Sequence, residues 1–410
     1  CREIEGTDGD IRVVDKTQDI CAGLTKVWSP QYGITLDALY YDITSTYFEG
    51  VKCILAKLGY NRDGKKGNGQ INIALVVTKK GGFPLFFRVY EGNVLDQKTV
   101  KNVLQDLKSF GITRCEIIWD RGMVSKSNVR KVDRCSQDVI CGLKKGDIDV
   151  RDILLSVKNE ELIREENKVR DLDNGHGIYA LAEVRELYGK RRNIVVYVNT
   201  ELQESSRIKR ERKLRRARAR LGAYKSKLER GNYMKISPVV SHVKECLQGV
   251  SKYFQPEYHQ DKETGRITID WKSKKKVLDE SAELDGKFAL MSTNLDTKCV
   301  EIVDAYFGKD KIERAFRCVK DVIKIQPVRC WLANRVKVHV FICFIAYLLM
   351  RAMEYKLQRA GMKITAERAI QELGKIRQGV IIDPTTQYQA IKVARLPKIQ
   401  KQIISSLGLS

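Results

Sequence analysis

Three acidic residues in unusual settings could carry chemistry. Asp42 stands inside an apolar, strand-like run, Leu39-Tyr40-Tyr41-Asp42-Ile43-Thr44-Ser45-Thr46-Tyr47. Aspartate is depleted in strand interiors, because an ionised carboxylate is costly to desolvate without a partner. Asp120 ends a second apolar run, Ile117-Ile118-Trp119, where a strand gives way to a loop. Glu313 lies near the start of a helix-like segment, Lys309 to Phe316. Each also has an ordinary reading: a strand-edge cap for Asp42, turn chemistry for Asp120 before Arg121-Gly122, and a surface glutamate for Glu313. Brought to one point, three carboxylates cannot all stay ionised unless cations bind between them. Oxygen-only ligands suit Mg²⁺ or Mn²⁺. Two such ions about 4 Å apart clamp the attacking and leaving oxygens of an in-line phosphoryl displacement.

The elements that must position these acids are legible in outline. Residues 1–35 are polar and irregular. A strand is predicted at Ala38–Thr44, and the Gly/Lys-rich stretch Asn61–Gly69 marks a loop. Ile71–Thr78 and Pro84–Tyr90 flank the tight turn Gly81-Gly82 and read as a hairpin. Val100, Val103, Leu104 and Leu107 have helical spacing within Asp96–Phe110. Glu116–Trp119 reads as a short strand, Ser127–Asp133 as a helix and Val139–Leu143 as a strand. Strand, strand, strand, helix, strand, helix, strand is the order of the ribonuclease-H-like fold. The expected fold is therefore α/β, a ribonuclease-H-like mixed sheet flanked by helices, with its first part at 36–146 after a remnant N-terminal region at 1–35. Neighbouring strands would project Asp42 and Asp120 from one sheet edge, and a helix beside that edge would bring Glu313 to them.

From 147 to 284 charge density rises and the pattern weakens, as in a large inserted α+β domain between the second and third acids. Leu214, Leu221 and Leu228 recur every seven residues within Arg207–Arg230, which holds twelve Lys/Arg against two Glu. That suggests a long helix with one narrow apolar stripe. It reads either as a solvated structural helix or as one that tracks phosphates. Asn193–Val198 and Arg266–Trp271 are short strand candidates beside it. Trp271 reads as a buried residue or as a stacking platform for a displaced base. The core is expected to resume at 285–360. It would hold a strand at Lys287–Thr293, helices at Thr297–Tyr306 and Lys309–Asp321, and a long apolar helix at Trp331–Gln358 whose run Val338–Met350 is buried, with His339 a satisfied core histidine. A helical tail closes the chain at 361–410.

Charge narrows the partner. Lys and Arg number 75 against 51 Asp and Glu, a net charge of +24. That much like charge favours a polyanionic partner, first of all nucleic acid. A membrane is not expected, since Val340–Met350 falls short of the ~20 apolar residues a span needs. Eleven cysteines without a C-x-x-C pair, several in apolar runs, fit reduced core thiols better than a disulfide frame or a zinc site. Four scattered histidines argue against a His-rich metal centre.

Tyr306, Lys309, Glu313 and Lys320 follow the spacing tyrosine, two residues, arginine, three residues, glutamate, six residues, lysine. This resembles the signature of insertion-sequence transposases of the "insertion sequence four" superfamily. Asp42-Ile-Thr-Ser-Thr46, Trp119-Asp-Arg-Gly-Met123 and Asp285-Gly-Lys-Phe-Ala-Leu-Met-Ser-Thr293 are similar to that family too, so the resemblance covers about residues 38–360. It implies a DNA transposase with Asp42, Asp120 and Glu313 as catalytic, metal-holding residues for two Mg²⁺ or Mn²⁺ ions. Tyr306, Lys309, Lys320, Arg317 and Arg121 would contact DNA. The implied reaction is cut-and-paste. Water cleaves one strand at a transposon end, the freed 3′-hydroxyl attacks the opposite strand to leave a hairpin, and the 3′-end is then joined to target DNA. The implied partners are double-stranded DNA and a second copy of the chain in a synaptic complex, in the prokaryotic cytoplasm at the nucleoid. The family's arginine is Lys309 here, which keeps the charge but loses the bidentate fork. The family's N-terminal end-recognition domain is expected to be truncated, since the first acid comes at residue 42. A nuclease of the same fold without strand transfer, and an idle DNA-binding remnant, are the alternatives.

Overall fold

The computed structural model describes all residues except 1, 6–10, 50–51, 60–63, 65–66, 232, 234, 383, 386–388 and 410. Cys1 and most of the predicted loop 61–69 lie outside the described residues. The chain forms two compact units, Cys1–Cys141 with Ala305–Ser410, and Gly142–Asp304.

The first unit opens with a hairpin, Arg2–Glu5 with Ile11–Val14, and a helix, α1 (Thr17–Tyr32). The reading of 1–35 as irregular is corrected here. The buried face of α1 is Cys21, Thr25 and Trp28, a stripe too mixed in chemistry to register as apolar periodicity. Gly33 ends α1 at φ 62°, a left-handed position that glycine adopts at little cost.

Strands β1 (Ala38–Tyr47), β2 (Gln70–Thr78) and β3 (Pro84–Glu91) form an antiparallel meander. Every residue of β2 is buried, which explains its Ile71, Ile73, Leu75, Val76 and Val77. Helix α2 (Asp96–Ser109) buries Val100, Val103, Leu104 and Leu107, the predicted stripe. β4 (Glu116–Trp119) lies parallel to β1 on the other side from β2. Helix α3 (Lys126–Arg134) then leads to β5 (Asp138–Gly142), parallel to β4. The strand order β3-β2-β1-β4-β5 is the ribonuclease-H-like arrangement expected from the sequence.

In the second unit, helix α4 (Ile148–Ser156) precedes the antiparallel strands β6 (Lys168–Asp171), β7 (Gly177–Leu187) and β8 (Lys190–Asn199). β7 escaped the sequence reading because Glu183, Arg185 and Glu186 break its apolar alternation. The basic segment belongs to α5 (Thr200–Arg230), which starts seven residues before the predicted stretch and is capped by the Asn199 side chain. Leu214, Ala217, Leu221, Tyr224 and Leu228 form its buried seam. That seam packs in one cluster with helix α6 (Ile236–Cys246) and the hairpin β9 (Phe254–Gln260) and β10 (Ile267–Ser273). Trp271 is half-buried and packs against the same cluster. Helix α7 (Lys275–Glu283) and strand β11 (Lys287–Ser292) follow. The sequence put the return to the core at 285, whereas the compact unit runs on to Asp304, because β11 pairs with β8.

After α8 (Cys299–Phe307) come α9 (Asp310–Arg317), one π-helical turn at Cys318–Val322, and α10 (Ala333–Arg359). The helix predicted over Lys309–Asp321 thus changes its hydrogen-bond register midway. α10 is long and apolar enough, by length and composition, to cross a membrane. One face nevertheless packs on the sheet: the Phe341 and Phe344 rings lie 6.2 and 5.2 Å from Phe87, and the Tyr347 hydroxyl donates to the Gly82 carbonyl. The other face corrects the expectation of burial, with Val338, Ile342 and Leu349 exposed. His339 is satisfied, its ring nitrogen 3.0 Å from the Ile325 carbonyl. Helix α11 (Ala366–Leu373), the hairpin β12 (Gln378–Ile382) and β13 (Gln389–Val393), and α12 (Lys398–Leu407) complete the unit. Leu357, Ala369 and Ile403 hold α10, α11 and α12 in one small cluster.

Candidate active site

The register of β1 and β4 sets the site. Tyr40 lies opposite Ile118 and Tyr41 opposite Trp119, so Asp42 and Asp120 come next, abreast on parallel strands. Adjacent strands run about 4.8 Å apart. Alternation then fixes the face. The Tyr41 hydroxyl donates to Thr99 Oγ1 of α2 at 2.5 Å, so Tyr41 faces α2. Tyr40, Asp42, Thr44 and Thr46 take the opposite face. There the Tyr40 ring lies 6.0 Å from the Lys311 ammonium of α9, and Thr46 hydrogen-bonds Gln326.

Asp120 keeps extended backbone before a 3₁₀ turn, Arg121–Met123, whose Met123 amide donates back to the Asp120 carbonyl. Gly122 in that turn leaves room for the Asp96 carboxylate of α2, which would lie 3.1 Å from any Cβ there. Asp96 was not singled out in the sequence; an aspartate opening a helix carries no further signal. Asp120 Oδ1 accepts a hydrogen bond from the Tyr306 hydroxyl at 2.9 Å and an ion pair from Lys309 Nζ at 2.8 Å. The same ammonium stands 4.3 Å from the Tyr306 ring centre. Burial pushes the Asp120 carboxyl up, but the charge and hydrogen bond of Lys309, the Tyr306 hydroxyl and the Arg121 amide outweigh it and hold the pKa below its ordinary value. Asp120 is therefore an anion with a cation already seated on it. The Asp42 carboxylate accepts from the Ile43 amide at 2.8 Å.

Glu313 is exposed on the first turn of α9, where its negative charge and that of Asp310 suit the helix N-terminus. Its amide donates to the Lys309 carbonyl, so it sits one turn beyond the residue that grips Asp120. Among the described residues, no three acidic, histidine or cysteine side chains gather in a metal-holding group. The Lys309 ammonium is the cation seated on Asp120 in this structure. The two aspartates still fit a hard divalent ion: they are oxygen donors, abreast on one sheet face, and at least one is held ionised.

The remaining predicted contacts surround this pair. Arg121 is exposed in the turn after Asp120, and Arg317 is exposed at the end of α9. Lys320 is half-buried in the π-helical turn. It lines a small apolar pocket with Thr44 and Thr46, the residues that follow Asp42 on the same face of β1. Lys309 thus flanks Asp120, and Lys320 flanks the Asp42 side. The ion pair between Lys309 and Asp120 was not foreseen, because nothing in the spacing from 120 to 309 encodes a contact.

A family described as "Transposase DDE domain" matches residues 41–349. None of the curated proteins compared with the chain matches it. Among solved structures, the chain is similar to piggyBac transposase in a synaptic complex with hairpin DNA, at 9% identity and TM-score 0.42, over 87% of this chain and 58% of that one. It is also similar to Mos1 transposase in a paired-end complex with the left transposon end, at 9% identity and TM-score 0.19, over 32% of this chain and 46% of that one.

Proposed function

The chain belongs to the transposase DDE-domain family, and from that premise we propose that it is a metal-dependent DNA transposase of the cut-and-paste type, acting through Asp42, Asp120 and Glu313. The observation that carries the reading is the pair Asp42 and Asp120, abreast where β4 ends beside the middle of β1, with the Tyr306–Lys309 segment closed on Asp120. Glu313 rides one turn beyond that segment and is the third acid of the set.

Asp42, Asp120 and Glu313 would hold two Mg²⁺ or Mn²⁺ ions, which when bound activate water and neutralise charge on the reacting phosphate. The chain's own groups do the positioning. Tyr306 and Lys309 keep Asp120 ionised and fix its orientation. Lys309 is a point charge without the planar fork of arginine, so its grip on phosphate is less directional. Lys320, Arg317 and Arg121 meet the DNA backbone around the acids, supported by the net charge of +24. Because one synaptic complex must hold two ends, the active form is a homodimer on paired ends, in a prokaryotic cell at the nucleoid.

The test uses the purified chain with supercoiled plasmid and with paired insertion-sequence ends. Mn²⁺-dependent cleavage followed by joining of 3′-ends is the expected result. Asp42→Ala, Asp120→Ala and Glu313→Ala should each abolish cleavage and leave DNA binding nearly intact. Cleavage without joining would replace the transposase by a nuclease. Binding with no cleavage would leave a DNA-binding remnant.

A further inference from the structure

A second face of α9 lines a cavity of about 570 Å³ in the first unit, walled also by α10 and the start of α11. Its volume is in the range of small-ligand pockets. Lys311 and Arg314, three residues apart on α9, project there with Arg317 and with Arg351 of α10. Two carboxylates, Glu354 and Glu367, share the lining, so four cations face two anions.

The local partners do not remove the surplus. Arg351 spends its Nε and one terminal nitrogen on the Gly81 carbonyl and the other terminal nitrogen on Glu354. Arg314 pairs with Asp310 on its own helix. The Lys311 ammonium is held by a neutral group, the Lys79 carbonyl, at 2.8 Å. Burial presses that ammonium below its ordinary lysine value, and the nearby charges of Lys79, Arg314 and Arg351 add to the effect against Asp310 alone. Like charges collected between low-dielectric walls focus a positive potential, which an anion entering the cavity relieves.

We propose that this cavity binds a phosphate group, gripped by Lys311, Arg314, Arg317 and Arg351. Its natural source is a phosphate of the DNA strand led past α9, which also carries Glu313, one turn before Arg317. The strand as source rests on the proposed function; the cavity's affinity for phosphate does not. Arginine recognises phosphate with two parallel hydrogen bonds, and lysine adds a point charge.

Cys318 supplies a built-in reporter, since it lines the same cavity and is half-buried. Burial raises its thiol to about 11, so alkylation by iodoacetamide is slow and best followed at alkaline pH. The rate at Cys318 is read by peptide mass spectrometry in EDTA, with exposed Cys135 as internal control. The probes are inorganic phosphate, a short single-stranded DNA and a peptide nucleic acid of the same sequence with an uncharged backbone. We expect DNA to slow Cys318 at least threefold while Cys135 is unchanged. Arg314→Ala with Arg317→Ala, both at exposed positions, should remove the protection. Protection by inorganic phosphate as well identifies a free phosphate as a sufficient ligand; protection by DNA alone identifies the strand. No slowing by either, equal slowing by the uncharged backbone, or undiminished slowing in the double variant overturns the proposal. The assay needs no cleavage, so a chain that cuts no DNA can still pass it.

Discussion

The ion pair between Lys309 and Asp120 predicts a measurable coupling. Two unit charges about 4 Å apart attract by roughly 1 kcal/mol in water and about 4 kcal/mol at an effective dielectric near 20. The Lys309 side chain is 16% exposed and that of Asp120 is 42% exposed, so solvent screens the pair substantially. A coupling of about 1–2 kcal/mol is therefore expected. It is read from a double-mutant cycle of Lys309→Met, Asp120→Asn and their combination. Urea unfolding without metal or DNA is followed by fluorescence, with Trp28 and Trp119 buried in the first unit. The pH dependence has a fixed sign. Because the folded Asp120 pKa is depressed, its contribution is fully present above the unfolded value of about 3.9 and is lost as pH falls through the folded value. In Lys309→Met burial is less opposed, so the acid-induced loss begins at higher pH. A coupling below about 0.3 kcal/mol at neutral pH and low salt, or one that grows on acidification, would refute the reasoning.

Other outcomes follow from the same geometry. Leu221→Ala empties a fully buried position in the α5 seam and should cost about 2–5 kcal/mol in the second unit, read by hydrogen exchange in α5 and α6. Lys287→Met removes a fully buried ammonium that Glu283 and the Leu154 and Val157 carbonyls share; a loss of about 3–5 kcal/mol is expected, and a neutral result in urea unfolding would show those groups finding other partners. Gly286→Ala places a Cβ 2.5 Å from the Asn199 carbonyl at φ 62°, so the melting point should drop and α5 should fray at its start. If six or more phosphates are engaged, raising salt from 50 to 200 mM should weaken DNA binding by about a thousandfold or more, measured by fluorescence anisotropy.

Much of the first unit was legible in the chain because its cues are local. β2 carries Ile71, Ile73, Leu75, Val76 and Val77 because it is buried on both faces, and α2 shows its stripe at helical spacing. Glycine pairs and Asp-Arg-Gly mark the turns. Elements with mixed chemistry were missed for an equally local reason: the α1 stripe is Cys21, Thr25 and Trp28, and β7 alternates with charges.

By itself, then, the sequence determined the strand order, the identity of the two strand-borne acids and the charge that calls for a polyanion, since each depends on residues within one element or on the bulk sum. Only the tertiary structure decided what surrounds the acids. Asp42 and Asp120 are abreast because the parallel register of β1 and β4 makes them so. Lys309, distant in sequence, meets Asp120 because α9 packs over that sheet face. Arg351 of α10 likewise joins Lys311, Arg314 and Arg317 of α9 in one cavity only because the two helices pack together. A helix spreads a run of charged residues around its axis, and which of them each neighbour covers is fixed by packing that no spacing along the chain records.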